Sequence, residues 1–493
     1  GNDRVFFDTD PNEGQGLEYA NKFIVTNIRP TALITQGSID RKQTQSVFAS
    51  VDLGLKDYLF LDLTGRNDWS SSFAFTPTSK KGYFYYSAGL TGIISEMVRL
   101  PDVISFAKAR VSYAKVGNDI PPYISNPAPF TLSTNNGTVQ LIKNTKVPVP
   151  GVFLKPEDNR SFEAGAEVRF LKNRLGFDFT WYRNNNYNQY VEIPAPLGSG
   201  FSNYYLNLGN IQNTGIEAIV TLVPFTSKNF TWTSTFNLAT NKNRIVKLSD
   251  PSVPGADSSN KFVLSDFGVN MFGSFIKEGG TWGDIYGNKG FVRDAKGAIM
   301  LDSTGTPQTA NSPGVLLGNP NPKFTIGWNN SFTYGKVFLS FLVDGRFGGK
   351  VMSVTQAVLD RDGVSEASAA ARDNGGVQLA NAVSANGQPF TGKVDAQKYY
   401  TAIGGRAGLG EAYMYDATNI RLREVSVGYE IPIASKTIKE ARISLIGRNL
   451  FFFKKEAPFD PELTMSTGNG LQGVDVFGLP STRSMGINLK FGF

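Results

Sequence analysis

The stretch SMGINLKFGF, residues 484–493, decides the fold class of this chain. Small and polar residues alternate along it with apolar residues, and the apolar positions are Met485, Ile487, Leu489, Phe491 and Phe493. A strict period of two is the pattern of a β-strand with one apolar face and one polar face. The segment ends on an aromatic residue, and we predict that its apolar face contacts lipid.

The same alternation recurs in pairs of candidate strands that are joined by short turns. Five such hairpins turn at 56–57, at 172–174, at 224–229, at Gly335 and between Ile431 and Ala441. A weaker sixth hairpin covers about 83–116, and an additional strand is expected near 17–29. Together with the final strand, the pattern predicts about fourteen strands.

Much longer segments rich in Gly, Asn, Asp, Ser and Pro separate these hairpins. They cover about 117–159, 243–321, 348–416 and 454–481. In outer-membrane barrels, tight turns face the periplasm and long loops face outside, so Phe493 should lie at the periplasmic rim. We therefore predict that residues 1–493 form an all-β, transmembrane antiparallel barrel portion with extracellular loops and no separate soluble domain.

Composition fits a barrel and excludes several other classes. The mean hydropathy is -0.19, and no apolar run approaches the ~20 residues that a membrane-spanning helix needs. A barrel strand needs apolar residues only at alternate positions. The chain has no Cys and no His, so it lacks the residues for disulfides, Ser-His-Asp triads and His-ligated zinc. We expect neither enzyme activity nor a cofactor.

Charge and short motifs give no sign of nucleic-acid, nucleotide or metal binding. The net charge of +7 is dispersed and includes no long basic run. GNGLQG at 468–473 matches G-x-G-x-x-G but opens no helix. The segment 8–12 begins like a calcium loop, yet Glu13 replaces the required Gly and Tyr19 the required Glu. We therefore predict no metal site.

Charged residues opposite the apolar faces should line the lumen, since each would cost about 2–4 kcal/mol against lipid near the midplane. They are Glu163, Glu167, Arg169, Asp178, Glu217, Asp344, Arg421 and Arg423. We favour contacts with a plug or between wall strands over contacts with substrate. The candidate ligand or lumen contacts are Trp69, Trp282, Tyr286, Asp344, Arg346, Arg421 and Arg423. For the aromatic members, an interfacial girdle or loop packing is the alternative.

A series of motifs runs in order along nearly the whole chain. They are NDWSS (67–71), RVSY (110–113), VGN (116–118), GNIQNTGIE (209–217), WGDIYG (282–287), LGNP (317–320), DGRFGG (344–349), DATNIRLRE (416–424), GRNL (447–450) and LPSTRS (479–484). Together they resemble the SusC/RagA-type TonB-dependent transporters, as the C-terminal part of the barrel.

This resemblance implies a plugged barrel of about 22 strands in the outer membrane of a Gram-negative bacterium. It also implies import powered through TonB and a SusD-like surface lipoprotein that lids the barrel. The plug, the TonB-contacting segment and about eight strands are expected before residue 1, so another segment or chain should complete the wall. The expected cargo is an oligosaccharide or a peptide.

Three alternatives remain open from the sequence. A passive porin would share the wall and lack the plug. An outer-membrane hydrolase would need a Ser–His pair, which this chain cannot supply without His. A structural or adhesive surface barrel would not transport any cargo.

Overall fold

One large antiparallel sheet dominates the computed structural model, which describes residues 2–9, 17–19, 22, 24–28, 33–127, 130–135, 138–143, 146–195, 198–248, 261–265, 271–433, 437–463 and 472–492. Thirteen strands of this sheet follow one another in chain order. They are β1 (Thr44–Leu55), β2 (Leu59–Ser70), β3 (Tyr83–Ile93), β4 (Ile104–Asn118), β5 (Glu157–Phe170), β6 (Leu175–Pro194), β7 (Asn203–Thr226), β8 (Phe230–Lys247), β9 (Phe324–Tyr334), β10 (Val337–Phe347), β11 (Asn419–Glu430), β12 (Glu440–Lys455) and β13 (Ser484–Gly492). A short strand, Lys146–Pro148, pairs in parallel with β7.

Each strand pairs with the next one along the chain, so the connections alternate between the two ends of the sheet. At one end the connections are short, as in 56–58, 171–174 and 335–336. At the other end they include 119–156, 248–323, 348–418 and 456–483. The sheet therefore has one end with short turns and one end with nearly all of the loop residues.

The tight turn between β1 and β2 illustrates how the sequence selects this geometry. Lys56 and Asp57 have φ values of 49° and 58°, and the Tyr58 N–H donates to the Leu55 carbonyl at 3.2 Å. Positive φ at both central residues defines a type I′ turn, whose twist matches that of the flanking strands. The turn thus fixes the register that pairs Leu55 with Leu59.

Alternation gives the sheet one apolar outer face. On β13, Met485 is 83% exposed and Ile487 is 68% exposed, with Leu489 and Phe491 on the same side. Soluble proteins rarely expose so many large apolar side chains next to one another. The apolar face predicted for this strand is therefore present over the described residues; Phe493 lies outside them.

The strands β6, β7 and β8 are 20, 24 and 18 residues long. A tilted transmembrane strand needs only about 9–11 residues, so these three strands continue well beyond a bilayer. Their outer halves bury a core that resembles that of a soluble protein. Its members are Val149, Val191, Ile193, Tyr204, Leu206, Ile211, Ile245, Leu248 and Ile276.

The remaining strands form small sheets outside the wall. They pair as Asn2–Thr9 with Leu33–Asp40, Phe130–Asn135 with Thr138–Lys143, Ile299–Met300 with Ala382–Val383, and Val377–Gln378 with Lys393–Val394. One sheet contains Lys261–Ser265, Phe272–Lys277, Ile285–Phe291 and Thr309–Gly318, and another contains Met414–Asp416, Lys350–Ser353 and Val474–Asp475. The last sheet joins the two connections that follow β10 and β12.

The helices are short. They are α1 (Pro77–Lys81), α2 (Ile94–Met97), α3 (Val354–Arg361), α4 (Glu366–Asp373) and α5 (Ala396–Ile403), with 3-10 turns at Val25–Asn27, Ser71–Phe73 and Gly410–Tyr413. Within the described ranges, no helix is long and apolar enough to cross a membrane.

Segments from three long connections pack into one body, which we call the loop layer: residues 271–318, 350–416 and 472–476. Its core buries Met271 and Ile285 from the first segment, Met352 and Leu409 from the second, and Val474 from the third. Residues 360–400, whose sequence shows little periodicity, contain α4 and α5 in this layer. The long connections therefore form an ordered cap above the wall.

The strand expected near 17–29 is wrong where the structure describes it. Residues Val25–Asn27 form a 3-10 turn, and the Asn27 side chain accepts from the Tyr19 N–H at 2.9 Å and donates to the Lys22 carbonyl at 2.7 Å. The Asn27 amide thus closes a local loop that an extended strand would break. The six hairpins and the final strand account for the thirteen wall strands.

The two faces of β8 allow a direct test of the membrane assignment. Phe236 lies on the apolar face and is 39% exposed, whereas its neighbour Thr235 points to the other side of the sheet. In the full-length receptor, we expect Phe236→Arg to lower the free energy of unfolding by about 2–4 kcal/mol, because it places a charge in lipid. Urea titration in lipid vesicles measures this change. Thr235→Arg is the matched control, and equal losses from both variants would contradict the assignment.

Candidate functional site

Four predicted contact residues come together on the inner face, where β10 meets β11. Asp344 and Arg346 lie on β10, and the register pairs Asp344 with Arg421 and Arg346 with Asn419. Arg423 of β11 reaches the same place. We call Asp344, Arg346, Arg421 and Arg423, with Asp460 and Glu462 described below, the arginine cluster.

A β-bulge lies at Arg423, within this cluster. Leu422 pairs with Val343 and Glu424 pairs with Leu342, so Arg423 is an extra residue between two ladder positions. On the other side, the register with β12 also shifts here, and Asn449 of β12 has a φ of 51°. Bulges commonly redirect a side chain in this way. Alternation alone would also place Arg421 and Arg423 on the same face, and the bulge shifts the alternation of the residues that follow Arg423.

The loop after β12 supplies the carboxylates that match these arginines. Arg421 is buried, contacts Glu462 directly, lies 3.6 Å from Asp460 and 3.8 Å from Asp344, and stacks over the Phe452 ring at 4.9 Å. Arg423 donates to Asp344 at 2.6 Å and contacts Glu462 at 3.1 Å. The sequence analysis did not identify Asp460 and Glu462. The available signal was that two arginines on one inner strand face require acidic partners nearby.

The arginine cluster borders a cavity of about 580 Å³ on the inner face. Asp344, Arg346, Arg423 and Glu462 line one side of it, and Glu217 lies on another. The Arg346 guanidinium donates to the Pro320 carbonyl. Three arginines face three carboxylates in the cluster, so its charges are largely neutralised within the protein. Its evident effect is to tie a long loop to the wall.

Other inner charges pair between wall strands. Arg110 of β4 and Asp178 of β6 are 2.8 Å apart across β5, and Lys108 of β4 and Glu167 of β5 are 2.7 Å apart. Arg169 also contacts Glu167. The expected ion pairs between wall strands are therefore present.

Trp282 and Tyr286 lie in a second region, where the loop layer meets β8. The Trp282 backbone N–H donates to the Asn243 side chain at 2.7 Å. The Asn319 and Asn321 side-chain amides donate to the Trp282 backbone carbonyl at 3.3 and 3.2 Å. Burial, together with the neighbouring Asp284 carboxylate, raises the pKa of Tyr286. The WGDIYG motif thus anchors the loop layer on the wall.

Asp284 completes this anchor. Its buried carboxylate accepts from the Thr281 N–H at 2.9 Å and from the Asn319 amide at 2.8 Å. The motifs WGDIYG and LGNP, far apart in sequence, therefore meet in one hydrogen-bonded unit.

Trp69 belongs to neither region. It pairs with Gln45 at the loop end of β2 and is half-buried. No group of three metal-ligating side chains occurs in the described part of the chain. The start of the calcium-like segment is described, but residues 10–16 and most of 468–473 lie outside the described residues.

This arrangement defines a class: an antiparallel meander with an apolar outer face, a polar inner face and loops massed at one end is a membrane β-barrel wall. The chain also matches the family model described as "TonB dependent receptor-like, beta-barrel" over residues 2–339. It belongs to that family.

Individual relatives agree with this assignment. The chain is 26% identical to TonB-dependent receptor P3 of Formosa agariphila, covering 96% of this chain and 48% of the relative. It is 29% identical over 111 residues to TonB-dependent receptor SusC of Bacteroides thetaiotaomicron, covering 22% of this chain and 11% of that one. The chain thus spans about half the length of the relatives that it matches along most of its own length.

A solved structure shares the fold. The RagAB peptide importer in its closed-closed state superposes with a TM-score of 0.71 at 18% identity, over 97% of this chain and 51% of that one. The resemblance to the SusC/RagA type that the motifs indicated is confirmed at the level of family and fold.

The loop anchor at Glu462 can be tested by proteolysis. In the full-length receptor, Glu462→Gln should favour local opening of 456–463 by about 1–3 kcal/mol, because it removes a carboxylate that contacts both Arg421 and Arg423. We expect cleavage in this loop to be faster by about 5- to 150-fold. Glu456→Gln is the matched control, since its ion pair with Lys454 is exposed. Equal cleavage of both variants would contradict the anchor.

Proposed function

We propose that this chain forms the wall of an outer-membrane nutrient importer in a Gram-negative bacterium, and that TonB energises the import. Membership of the TonB-dependent receptor β-barrel family is the observation that carries this proposal. The polar inner face beneath an ordered loop layer supports it. In this arrangement the loop layer faces outside and the short turns face the periplasm.

Further strands must complete the wall. The described sheet has an odd number of strands in sequence order, so β1 and β13 run in the same direction. Bacterial barrels consist of an even number of antiparallel strands, and unpaired edges in lipid leave backbone groups unsatisfied. We propose that another segment or chain supplies the missing strands, the plug and the TonB-contacting segment.

A SusD-like surface lipoprotein is the proposed partner, as the resemblance to SusC/RagA-type transporters implies. The loop layer would provide its docking surface, because it covers the end of the wall that carries the long connections. The cargo would be an oligosaccharide or a peptide; RagAB is a peptide importer. The rival functions are a passive porin and a structural or adhesive barrel.

Uptake by intact cells tests the proposal. Labelled oligosaccharide and peptide pools are offered to wild-type cells, to cells lacking the receptor and to cells lacking TonB. We expect at least one pool to enter wild-type cells and its uptake to fall at least tenfold in both mutants, since transport would need both the wall and the energy source. Uptake that survives without TonB would indicate a porin. Equal uptake with and without the receptor would indicate a structural barrel.

A cysteine pair tests the proposed completion of the wall, and the native chain contributes no Cys of its own. In the full-length receptor, Ser50→Cys on β1 with Asn488→Cys on β13 should form no disulfide, because further strands would separate these edges. A disulfide requires Cα atoms within about 7 Å. Ser444→Cys with Asn488→Cys joins partners in the β12–β13 ladder and should cross-link under the same oxidant. A disulfide in the first pair would contradict the proposal.

A further inference from the structure

A second inner cavity, of about 280 Å³, lies between the wall and the loop layer. Side-chain amides dominate its lining: Asn186 of β6, Asn213 of β7, Asn241 and Asn243 of β8, and Asn321 from the loop before β9. Trp282 of the anchor motif also lines it. None of its described lining residues is charged. We call this cavity the amide pocket.

Strand register explains why the amides gather here. Asn213 pairs with Asn184 on one side and with Asn243 on the other, and Asn241 lies two residues along β8 on the same inner face. The Asn241 and Asn243 side-chain amides both donate to the Asn213 side-chain Oδ1, at 3.2 and 2.9 Å. The three strands thus present a preformed polar surface.

Two polar atoms in the pocket lining are buried without a partner among the described residues. They are the Asn186 Oδ1, an acceptor, and the Trp282 indole Nε1, a donor. Buried polar groups are almost always hydrogen-bonded in folded proteins, and each exception needs an explanation. Both atoms border the pocket, and a small rotation of either side chain would offer a donor or an acceptor to a ligand with hydroxyls.

We propose that the amide pocket is a recognition subsite for a neutral oligosaccharide, which rests on the importer function proposed above. Each amide offers both a donor and an acceptor, and a sugar hydroxyl can use both. Trp282 adds an aromatic ring to the lining, against which a sugar ring face can pack.

The absence of charge in the lining selects against other cargo. Peptides and acidic glycans carry charges, and a buried charge needs a counter-charge. Asp344, Arg423 and Glu462 of the arginine cluster line the other cavity and already pair with one another. A neutral polyhydroxylated chain matches the amide pocket without any such requirement.

Binding to the full-length receptor with its lid lipoprotein, in lipid nanodiscs, tests the proposal. Calorimetry compares neutral probes (maltoheptaose, xylohexaose and laminarihexaose) with an anionic alginate hexasaccharide and an end-blocked alanine tetrapeptide. We expect at least one neutral oligosaccharide to bind the wild type. Asn186→Ala combined with Asn241→Ala should weaken that binding at least tenfold.

Asn185→Ala is the matched control, because Asn185 is the next residue on β6 and its side chain accepts from Gln212 instead. It should change the Kd less than twofold. Resistance of each variant to SDS without heating checks that the barrel is intact. Tryptophan fluorescence gives an independent measurement of binding. Trp282→Phe should remove any change in fluorescence that the ligand causes.

Each other outcome overturns the inference. The wild type would then bind no neutral oligosaccharide, or the double variant would bind it unchanged, or the blocked peptide would bind and lose its binding in the double variant. These failures are separate from failure of the importer function. TonB-dependent uptake that is insensitive to the amide variants would leave the importer standing, whereas loss of TonB dependence would remove it.

Discussion

The structure depends on one constraint: every backbone N–H and C=O group in the hydrocarbon layer must find its partner within the protein. The strands between β1 and β13 satisfy it by pairing with a neighbour on each side, and this pairing sends alternate connections to opposite ends. Alternation then follows from strand geometry, so one face meets lipid and the other faces the lumen. Strand length can vary only at the end with the long loops. There β6, β7 and β8 extend beyond the bilayer and bury a core typical of soluble proteins.

Loops are fixed to this wall at two places by different means. At β10 and β11 the attachment is ionic, with Glu462 placed between Arg421 and Arg423. At β8 the attachment consists of neutral hydrogen bonds. The Trp282 backbone N–H donates to Asn243, and the Asn319 and Asn321 side-chain amides donate to the Trp282 backbone carbonyl. Both attachments use residues from the motifs that resemble SusC/RagA-type transporters. These motifs are far apart in sequence, and in the fold they connect loops to distant strands.

Sequence patterns predicted what depends on local periodicity. Hairpins such as that at Lys56 and Asp57 were predictable because a two-residue turn and the flanking alternation are both local signals. The turn around Asn27 was not, because a side-chain amide that closes its own loop leaves no periodic trace. The sequence placed Asp344, Arg421 and Arg423 on the inner face, but the bulge at Arg423 and the distant partner Glu462 depend on tertiary contacts.

The cavity at the arginine cluster and the amide pocket differ in the groups that they present to a ligand. At the arginine cluster, Arg421 and Arg423 pair with carboxylates, so a charged cargo would have to compete with ion pairs that hold the loop in place. In the amide pocket, asparagines held by neighbouring strands leave a buried acceptor and a buried donor unmatched within the described residues. Rigid groups positioned before binding lose little freedom when a ligand arrives, which favours recognition. The wall thus separates the groups that hold it together from the groups that can recognise cargo.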